Sequence, residues 1–168
     1  MSHNNELETD DTGRQTLWAP WRMEYIVGPK SEACFLCEAA QSHDHRAHWV
    51  IARGRTCFGL LNRYPYNNGH LMVAPCRHVS ELSALTDDER LELMTLATEL
   101  VQRLSRGIHP DGFNLGLNLG KVAGAGLESH LHLHIVPRWN GDTNFMPIIA
   151  DTKVIPQALD DLWERLRG

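Results

Sequence analysis

Histidine and apolar residues alternate in the stretch Ser129-His-Leu-His-Leu-His-Ile-Val-Pro-Arg-Trp139. In a β-strand, alternate side chains share one face of the sheet, so this alternation predicts a strand whose apolar residues enter the core. The histidines at its centre, His130, His132 and His134, then project together from the other face. We expect their imidazole rings to line one wall of a site.

Three explanations could account for this row of histidines: a solvated strand face, a metal centre or nucleophilic catalysis. A solvated strand face usually draws on Thr, Lys, Glu and Ser, so successive histidines are hard to explain there without a ligand. A three-histidine metal centre needs rings that converge on one ion, which a straight row does poorly, although two of the three could do so. In nucleophilic catalysis, a neutral imidazole attacks phosphorus and forms a phosphoramidate. The glycine-bearing loop Gly120–Gly126 precedes the row and offers backbone N–H groups to phosphates.

The rest of the chain predicts an α+β fold built on an antiparallel sheet of about five strands. Short runs rich in Val, Ile, Leu and Phe are separated by turn residues. These predicted strands are Trp49–Ala52, Phe58–Leu61, His70–Ala74, Phe113–Leu119 and Leu131–Val136.

Two helices are predicted to accompany the sheet. Leu85–Arg106 has apolar residues on one face, and Thr86 with Glu89 forms a capping box at its start. We expect Gly107 to end this helix. The segment Lys153–Arg167 is predicted to begin extended and to end in a weakly amphipathic helix.

Composition limits the class of protein. The chain has 168 residues, of which 42% are hydrophobic and 22% charged, as in one ordinary globular domain. We expect residues 1–16 to be a disordered tail and residues 17–168 to form a single domain. A net charge of −5 without a basic cluster argues against large nucleic acids as partners. Neither a bilayer-spanning apolar run nor a secretory signal is evident, so we expect a cytoplasmic protein without a membrane partner.

A longer pattern surrounds the histidine row. His130-Leu-His-Leu-His134-Ile-Val continues into Pro137-Arg138, and it is preceded by Phe58-Gly-Leu-Leu-Asn62, Gly69-His-Leu-Met-Val-Ala-Pro75 and Asn118-Leu-Gly120. The order and spacing resemble those of the histidine triad (HIT) superfamily, whose signature is His-φ-His-φ-His-φ-φ with φ apolar. The flanking LWAPWRMEYI (Leu17–Ile26) and the residues around these motifs look most like the bacterial diadenosine tetraphosphate phosphorylase branch, with Fhit-like members as relatives.

The resemblance implies a HIT fold, usually a homodimer, that transfers a nucleotidyl group to and from histidine. By motif position, His132 is the nucleophile and His134 contacts the phosphates and assists the leaving group. Asn62 matches the residue that binds ribose hydroxyls, although an Asn before a turn often caps its own backbone. Asn118 matches the residue that orients the α-phosphate, and His70 a histidine that steadies the site.

Two residues of the glycine-bearing loop are further nucleotide-binding candidates. Lys121 could contact a phosphate, although a lone loop lysine is usually solvated. Gly126 stands where Fhit-type members carry a Gln, and the loop from Gly120 to Ser129 is one residue longer than theirs.

A zinc site is also implied. Cys34-Phe-Leu-Cys37 is a CxxC pair, and tetrahedral zinc needs two more ligands. In several relatives, these are a histidine after the strand that holds His70 and the first histidine of the triad, which correspond to His78 and His130. The resemblance therefore predicts a structural zinc; the segment His43–His48 is a competing source of ligands.

Together these features predict an enzyme that cleaves dinucleoside polyphosphates through a nucleotidyl-histidine intermediate, with phosphate or water as acceptor. We expect Mg²⁺ to arrive bound to the charged substrate. A Hint-type hydrolase of nucleoside phosphoramidates or nucleotidyl-lysine is an alternative. A regulatory module that binds nucleotides and turns them over slowly is another.

Overall fold

The structure is a computed structural model. It describes residues 33–123, 126–142 and 157–167, together with the backbone of residues 8–9 and 15–16. Two short strands, β1 (Glu8–Thr9) and β2 (Gln15–Thr16), pair with each other in antiparallel fashion. The rest of the predicted tail and the aromatic segment Leu17–Ile26 lie outside the described residues. The chain divides into residues 31–140 with 155–168, and residues 1–30 with 141–154, and the predicted domain bounds stay a prediction.

A five-stranded antiparallel sheet forms within the described part of the larger unit, in the spatial order β3-β4-β5-β7-β6. The predicted α+β fold with about five strands is confirmed. The strand bounds are β3 (Val50–Arg53), β4 (Cys57–Leu61), β5 (Leu71–Pro75), β6 (Gly112–Leu117) and β7 (Leu133–Arg138).

Three α-helices accompany the sheet among the described residues: α1 (Phe35–Gln41), α2 (Asp87–Ile108) and α3 (Leu159–Leu166). The capping box at Thr86 and Glu89 is confirmed at the start of α2. The described residues contain no helix that is both long and apolar enough to cross a membrane.

The prediction that Gly107 ends α2 is wrong. The helix continues to Ile108, and His109 ends it in the left-handed conformation with φ of 48°. A Cβ at position 107 would lie 3.0 Å from Leu166 Cδ2. The glycine therefore serves the close approach of α3 to α2, and its lower helix propensity does not stop the helix.

Helices α2 and α3 cover one face of the sheet. Along β7, alternate residues point to this side, where Leu133 and Ile135 are buried against α2. Gly59 of β4 lies directly under α2, where a Cβ would collide with the Leu100 side chain. The buried core on this side includes Leu61, Leu71, Val73, Leu93, Leu96, Ala97, Leu100, Leu104, Leu162, Trp163 and Leu166.

The opposite face of the sheet is covered in part by α1 and carries the histidines. Phe58, Leu60 and Met72 pack there against Leu36 of α1. Met72 pairs with His134 of β7, and His134 pairs in turn with Gly116 of β6. Because directly paired residues share a face, this side of the sheet continues from an apolar cluster into a polar one.

Strand β7 begins two residues later than predicted. Instead of joining the ladder, the Leu131 N–H donates to the carbonyl of Val79 at 2.6 Å. The Leu131 side chain is buried with Val79 and Leu85, apart from the main core. His130 and His132 consequently lie on the segment that leads into β7, while His134 lies within the strand.

Candidate functional site

The histidine row divides between two neighbouring clusters. His130 lies among the thiols of Cys34 and Cys37, whereas His132 packs edge-on against His134 with ring centroids 4.7 Å apart. The prediction of one wall of three imidazoles is therefore wrong for His130. The cause is the irregular backbone before Leu133, which breaks the strict alternation of a strand.

The first cluster joins two cysteines and two histidines from distant parts of the chain. Cys34 precedes α1 and Cys37 lies in its first turn, so the helix places both thiols side by side. The Cys34 Sγ lies 3.3 Å from His130 Nδ1, and the Cys37 Sγ lies 3.1 Å from His78 Nδ1. One ligand atom from each of the four residues lies within 4.8 Å of the others. These are the predicted zinc ligands.

The protonation of His130 suits metal binding. Its Nε2 lies 2.9 Å from the carbonyl oxygen of Pro75, which can only accept, so we assign the proton to Nε2. The lone pair of Nδ1 then faces the thiols, and the carbonyl fixes the ring from behind as in many metal sites. Two sulfurs and two imidazole nitrogens are the donor set of a closed tetrahedral zinc site.

The competing ligand source, His43–His48, does not converge on one point. Within residues 33–123, 126–142 and 157–167, the group around Cys34 is the one set of at least three metal-ligating side chains that come together. Its two thiols remain partly exposed.

His132 is held in a form suited to nucleophilic attack. Its Nδ1 lies 2.9 Å from the carbonyl oxygen of His130, so we assign the proton to Nδ1 and the lone pair to Nε2. Only 7% of the residue is exposed. Burial lowers the pKa of His132, although its bond to the His130 carbonyl opposes that effect, and the neutral ring is the nucleophilic one.

His70 and His134 form a hydrogen-bonded pair at the other side of this centre. His70 Nε2 lies 2.9 Å from His134 Nδ1. The backbone N–H of Tyr66 donates to His70 Nδ1 at 3.0 Å, so the proton of His70 belongs on Nε2. His134 then accepts at Nδ1 and carries its own proton on Nε2. Burial, with a smaller effect of His132, lowers the pKa of His134 to about 4.

The two asparagines flank this pair. Asn62 Oδ1 accepts from the Tyr64 N–H at 2.9 Å, so the residue caps its own turn, and its Nδ2 lies 3.3 Å from His70 Nδ1. The Asn118 amide nitrogen lies 3.5 Å from His134 Nε2. The structure thus brings Asn62, His70, Asn118, His132 and His134 together, and their roles toward a nucleotide stay predictions.

The two nucleotide-binding candidates of the glycine-bearing loop are exposed, unlike the buried histidines. Lys121 is exposed in a short 3₁₀ turn, Lys121–Ala123, and Gly126 is exposed as well. Within the described residues, no hydrogen bond joins Lys121 to the histidines. Because residues 124–125 lie outside the described residues, the predicted nucleotide contacts of this loop stay predictions.

One residue beside the histidines was not among the predicted site residues. The ring of Tyr66 lies over His70, with centroids 4.6 Å apart, and 5.5 Å from the ring of His134. Its position within the motif between Asn62 and His70 was the available signal, but neither spacing nor residue type shows which way the ring of a turn residue points.

Comparisons with known proteins agree with this geometry. The HIT domain family matches residues 46–141. The AP-4-A phosphorylase of Mycobacterium tuberculosis is 47% identical over 156 residues, which span 88% of this chain and 80% of that protein. The bis(5'-adenosyl)-triphosphatase of Dictyostelium discoideum is 35% identical over 48% of this chain and 54% of its own length.

A solved structure shares the fold. A zinc-bound histidine triad family protein from Mycobacterium smegmatis superimposes with a TM-score of 0.63 at 24% identity, covering 80% of this chain and 91% of that one. The histidine row, the sheet that carries it and the match over residues 46–141 lead to one conclusion: the chain belongs to the HIT domain family.

Proposed function

We propose that the protein cleaves dinucleoside polyphosphates by transferring a nucleotidyl group to His132 and then to inorganic phosphate. The hydrogen bond from His132 Nδ1 to the His130 carbonyl, at 2.9 Å, carries the proposal because it leaves Nε2 unprotonated. The similarity to the AP-4-A phosphorylase of Mycobacterium tuberculosis supports the choice of substrate.

The reaction is written as two displacements at one phosphorus atom. In the first, His132 Nε2 attacks the α-phosphorus, the N–P bond forms and the bond to the bridging oxygen breaks, so that a nucleoside polyphosphate leaves. In the second, an oxygen of phosphate attacks the same atom, the N–P bond breaks and the lone pair returns to Nε2. Two inversions retain the configuration at phosphorus. Water as the acceptor would give the mononucleotide.

His134 and Asn118 are placed to stabilise charge on the phosphoryl oxygens. With its proton on Nε2, His134 is a donor, and the Asn118 amide nitrogen lies 3.5 Å away as a second donor. A phosphoryl oxygen that came within reach of both nitrogens would accept from both donors. The polyphosphate would carry Mg²⁺ with it, because that ion binds phosphate oxygens and keeps several of its waters.

A bound zinc ion belongs to the same proposal. Cys34, Cys37, His78 and His130 would hold it, and all four positions are taken by protein atoms, as in structural zinc sites. The ion would thus fix the backbone of His130, whose carbonyl accepts from His132. Its part is to stabilise the fold around the nucleophile.

Product analysis tests the proposed reaction. We expect diadenosine tetraphosphate and phosphate to give ATP and ADP in equal amounts, and radiolabel from phosphate to enter ADP. AMP with ATP, whether or not phosphate is present, would identify a hydrolase. Faster release from a nucleoside phosphoramidate would favour the Hint-type alternative, and tight binding without products would favour the regulatory module.

Gly116 offers a test of where the substrate lies. It pairs with His134 on the histidine face, and a Cβ at this position would meet no described atom within 4 Å. We expect Gly116→Val to leave the free energy of unfolding within about 0.5 kcal/mol of wild type. Its branched side chain would displace the substrate, so kcat/KM should fall roughly 100-fold.

The matched control for this variant is Gly112→Val. Gly112 lies on the same strand and face and has equally open space around its Cβ position, but it pairs with Arg138, away from the reacting histidines. Steady-state kinetics and thermal unfolding of both variants provide the comparison. Equal activities of the two variants would contradict the proposed location of the substrate.

We also propose that the protein is a homodimer joined along β6. This strand forms one edge of the sheet, and Leu115 in it and Leu119 just after it are 44% and 49% exposed. An edge strand whose outer side pairs with no other described strand, and that carries exposed leucines, favours pairing with a second copy. We expect light scattering to give twice the chain mass, and Leu115→Glu to give a monomer. Leu91→Glu on α2, where the side chain is 71% exposed, should stay dimeric.

A further inference from the structure

Tyr66 covers the pair of histidines at the centre of the site. Its ring is tilted by 36° to that of His70 and by 34° to that of His134. His70 and His134 are 1% and 8% exposed, whereas Tyr66 is 43% exposed. One side of the phenol ring therefore lies on the histidine pair, and the rest of the ring faces solvent.

The loop that carries Tyr66 is held in place at several points. The Tyr66 N–H donates to His70 Nδ1 at 3.0 Å, and the Asn67 side-chain amide donates to the Pro137 carbonyl at 3.0 Å. Gly69 has a φ of +71°, and a Cβ there would lie 2.6 Å from Ile108 Cδ1. The fold therefore fixes the backbone on both sides of Tyr66, and with it the place from which the ring extends.

The hydrogen bond that lies beneath the Tyr66 ring, between His70 and His134, is sensitive to water. Water that reaches the contact between His70 Nε2 and His134 Nδ1 would compete for both nitrogens, and it would also stabilise a charged imidazolium. A neutral imidazole can carry its proton on either nitrogen, and the donor it meets selects which one. The bond from His70 thus makes His134 a donor at Nε2 only as long as the bond persists.

We propose that Tyr66 is a positioning residue whose ring excludes water from the hydrogen bond between His70 and His134. The ring thereby keeps His134 neutral with its proton on Nε2. The inference deepens the proposed function, on which its catalytic consequence rests. The role belongs to the aromatic ring, because the ring makes the contacts with both imidazoles.

Two histidines and a tyrosine face His134, and burial sets the expected direction of the change. His132 faces it from its own segment, and His70 and Tyr66 face it from the loop before β5. Burial is the main cause that lowers the pKa of His134, to about 4. Removing the ring admits water, so this pKa should rise by roughly one unit, and the protonated form should appear at a higher pH.

The test compares Tyr66→Phe with Tyr66→Ala in the full chain. Imidazole nitrogen and carbon shifts, followed by NMR from about pH 3 to pH 7.5, report the tautomer and protonation of His134 in the free protein. We expect the Phe variant to match wild type in both shifts and kcat. The Ala variant should lose the Nε2-protonated tautomer, titrate about one unit higher and show kcat roughly 10-fold lower with KM little changed. Tyr66→Leu, which keeps apolar cover, should fall between them.

Three results would overturn the inference. An Ala variant with a higher KM and an unchanged His134 spectrum would show that the ring contacts the substrate instead. A Phe variant as impaired as the Ala variant would assign the role to the hydroxyl group. An Ala variant whose His134 shifts and kcat both match those of wild type would show that the ring shields nothing. If dinucleoside polyphosphates are not turned over and the His134 spectrum of the Ala variant shifts as expected, the proposed function fails and the shielding role stands.

Discussion

A His132→Asn variant should cleave diadenosine tetraphosphate at least about 10⁴-fold more slowly than wild type, because removing a covalent nucleophile eliminates the step that splits the reaction in two. Asn is close to His in size and can still donate to the His130 carbonyl, so the fold around the site should persist. Nucleotide affinity should stay within about threefold of wild type, since His134 and Asn118, the proposed phosphate donors, remain. Steady-state rates and calorimetric titration with a non-cleavable analogue measure the two quantities.

The control for this variant is His45→Asn, an exposed histidine in the segment before β3, which should retain the wild-type rate. A more direct measurement is mass spectrometry of quenched reactions, in which a peptide containing His132 should carry a nucleoside monophosphate. This adduct should be lost in acid, as expected of a phosphoramidate, and should be missing from the Asn variant. Full activity of the Asn variant would refute the histidine mechanism altogether.

The second large effect concerns the proposed zinc site formed by Cys34, Cys37, His78 and His130. In Cys34→Ser, a hydroxyl group, which is a poor zinc ligand, replaces one of the four ligands. Bound zinc should therefore fall from about one per chain to near zero after dialysis. Losing even about 3 kcal/mol of the binding free energy from the folded state should lower Tm by roughly 6–12 °C in a protein of this size. Activity should fall as well, because the His130 carbonyl would no longer be fixed where it orients the His132 ring.

Two comparisons separate a structural zinc from a catalytic one. Cys76→Ser changes a half-buried thiol outside the cluster, and it should keep both the metal and the activity. A chelator should inactivate the wild-type protein slowly, at the rate at which the cluster opens, and not within the mixing time. Immediate inactivation, or a Cys34→Ser variant that retains stoichiometric zinc, would contradict the assignment.

The sequence predicted most of the fold because each signal was local. The short apolar runs between turn residues, now seen as β3 to β7, and the capping box of α2 report backbone conformation without reference to distant residues. Helix α1 was missed since seven residues with two buried side chains, Leu36 and Ala39, give too little periodicity to detect. The error at Gly107 has a different cause, because the need for a glycine there comes from α3, which packs from far along the chain.

The site was predictable in its members and less so in its arrangement. The resemblance selected the cysteines and histidines that converge around Cys34, and the asparagines that lie beside His70 and His134. It also assigned His130 to zinc and His132 to the nucleotide, but it could not show the backbone path that separates them, which includes the hydrogen bond between Leu131 and Val79. Nor could it show the cover that Tyr66 provides, which depends on the path of the loop between β4 and β5.

His130 makes contacts in both clusters, and this has a consequence for protein engineering. Its ring lies among the thiols while its carbonyl accepts from His132 Nδ1, so one residue connects the two clusters. A designer who wished to graft His132 onto another scaffold in the same orientation would have to transplant the cysteine pair and His78 with it. If only residues 130–138 were moved, His132 would lack the contacts that hold His130 in place.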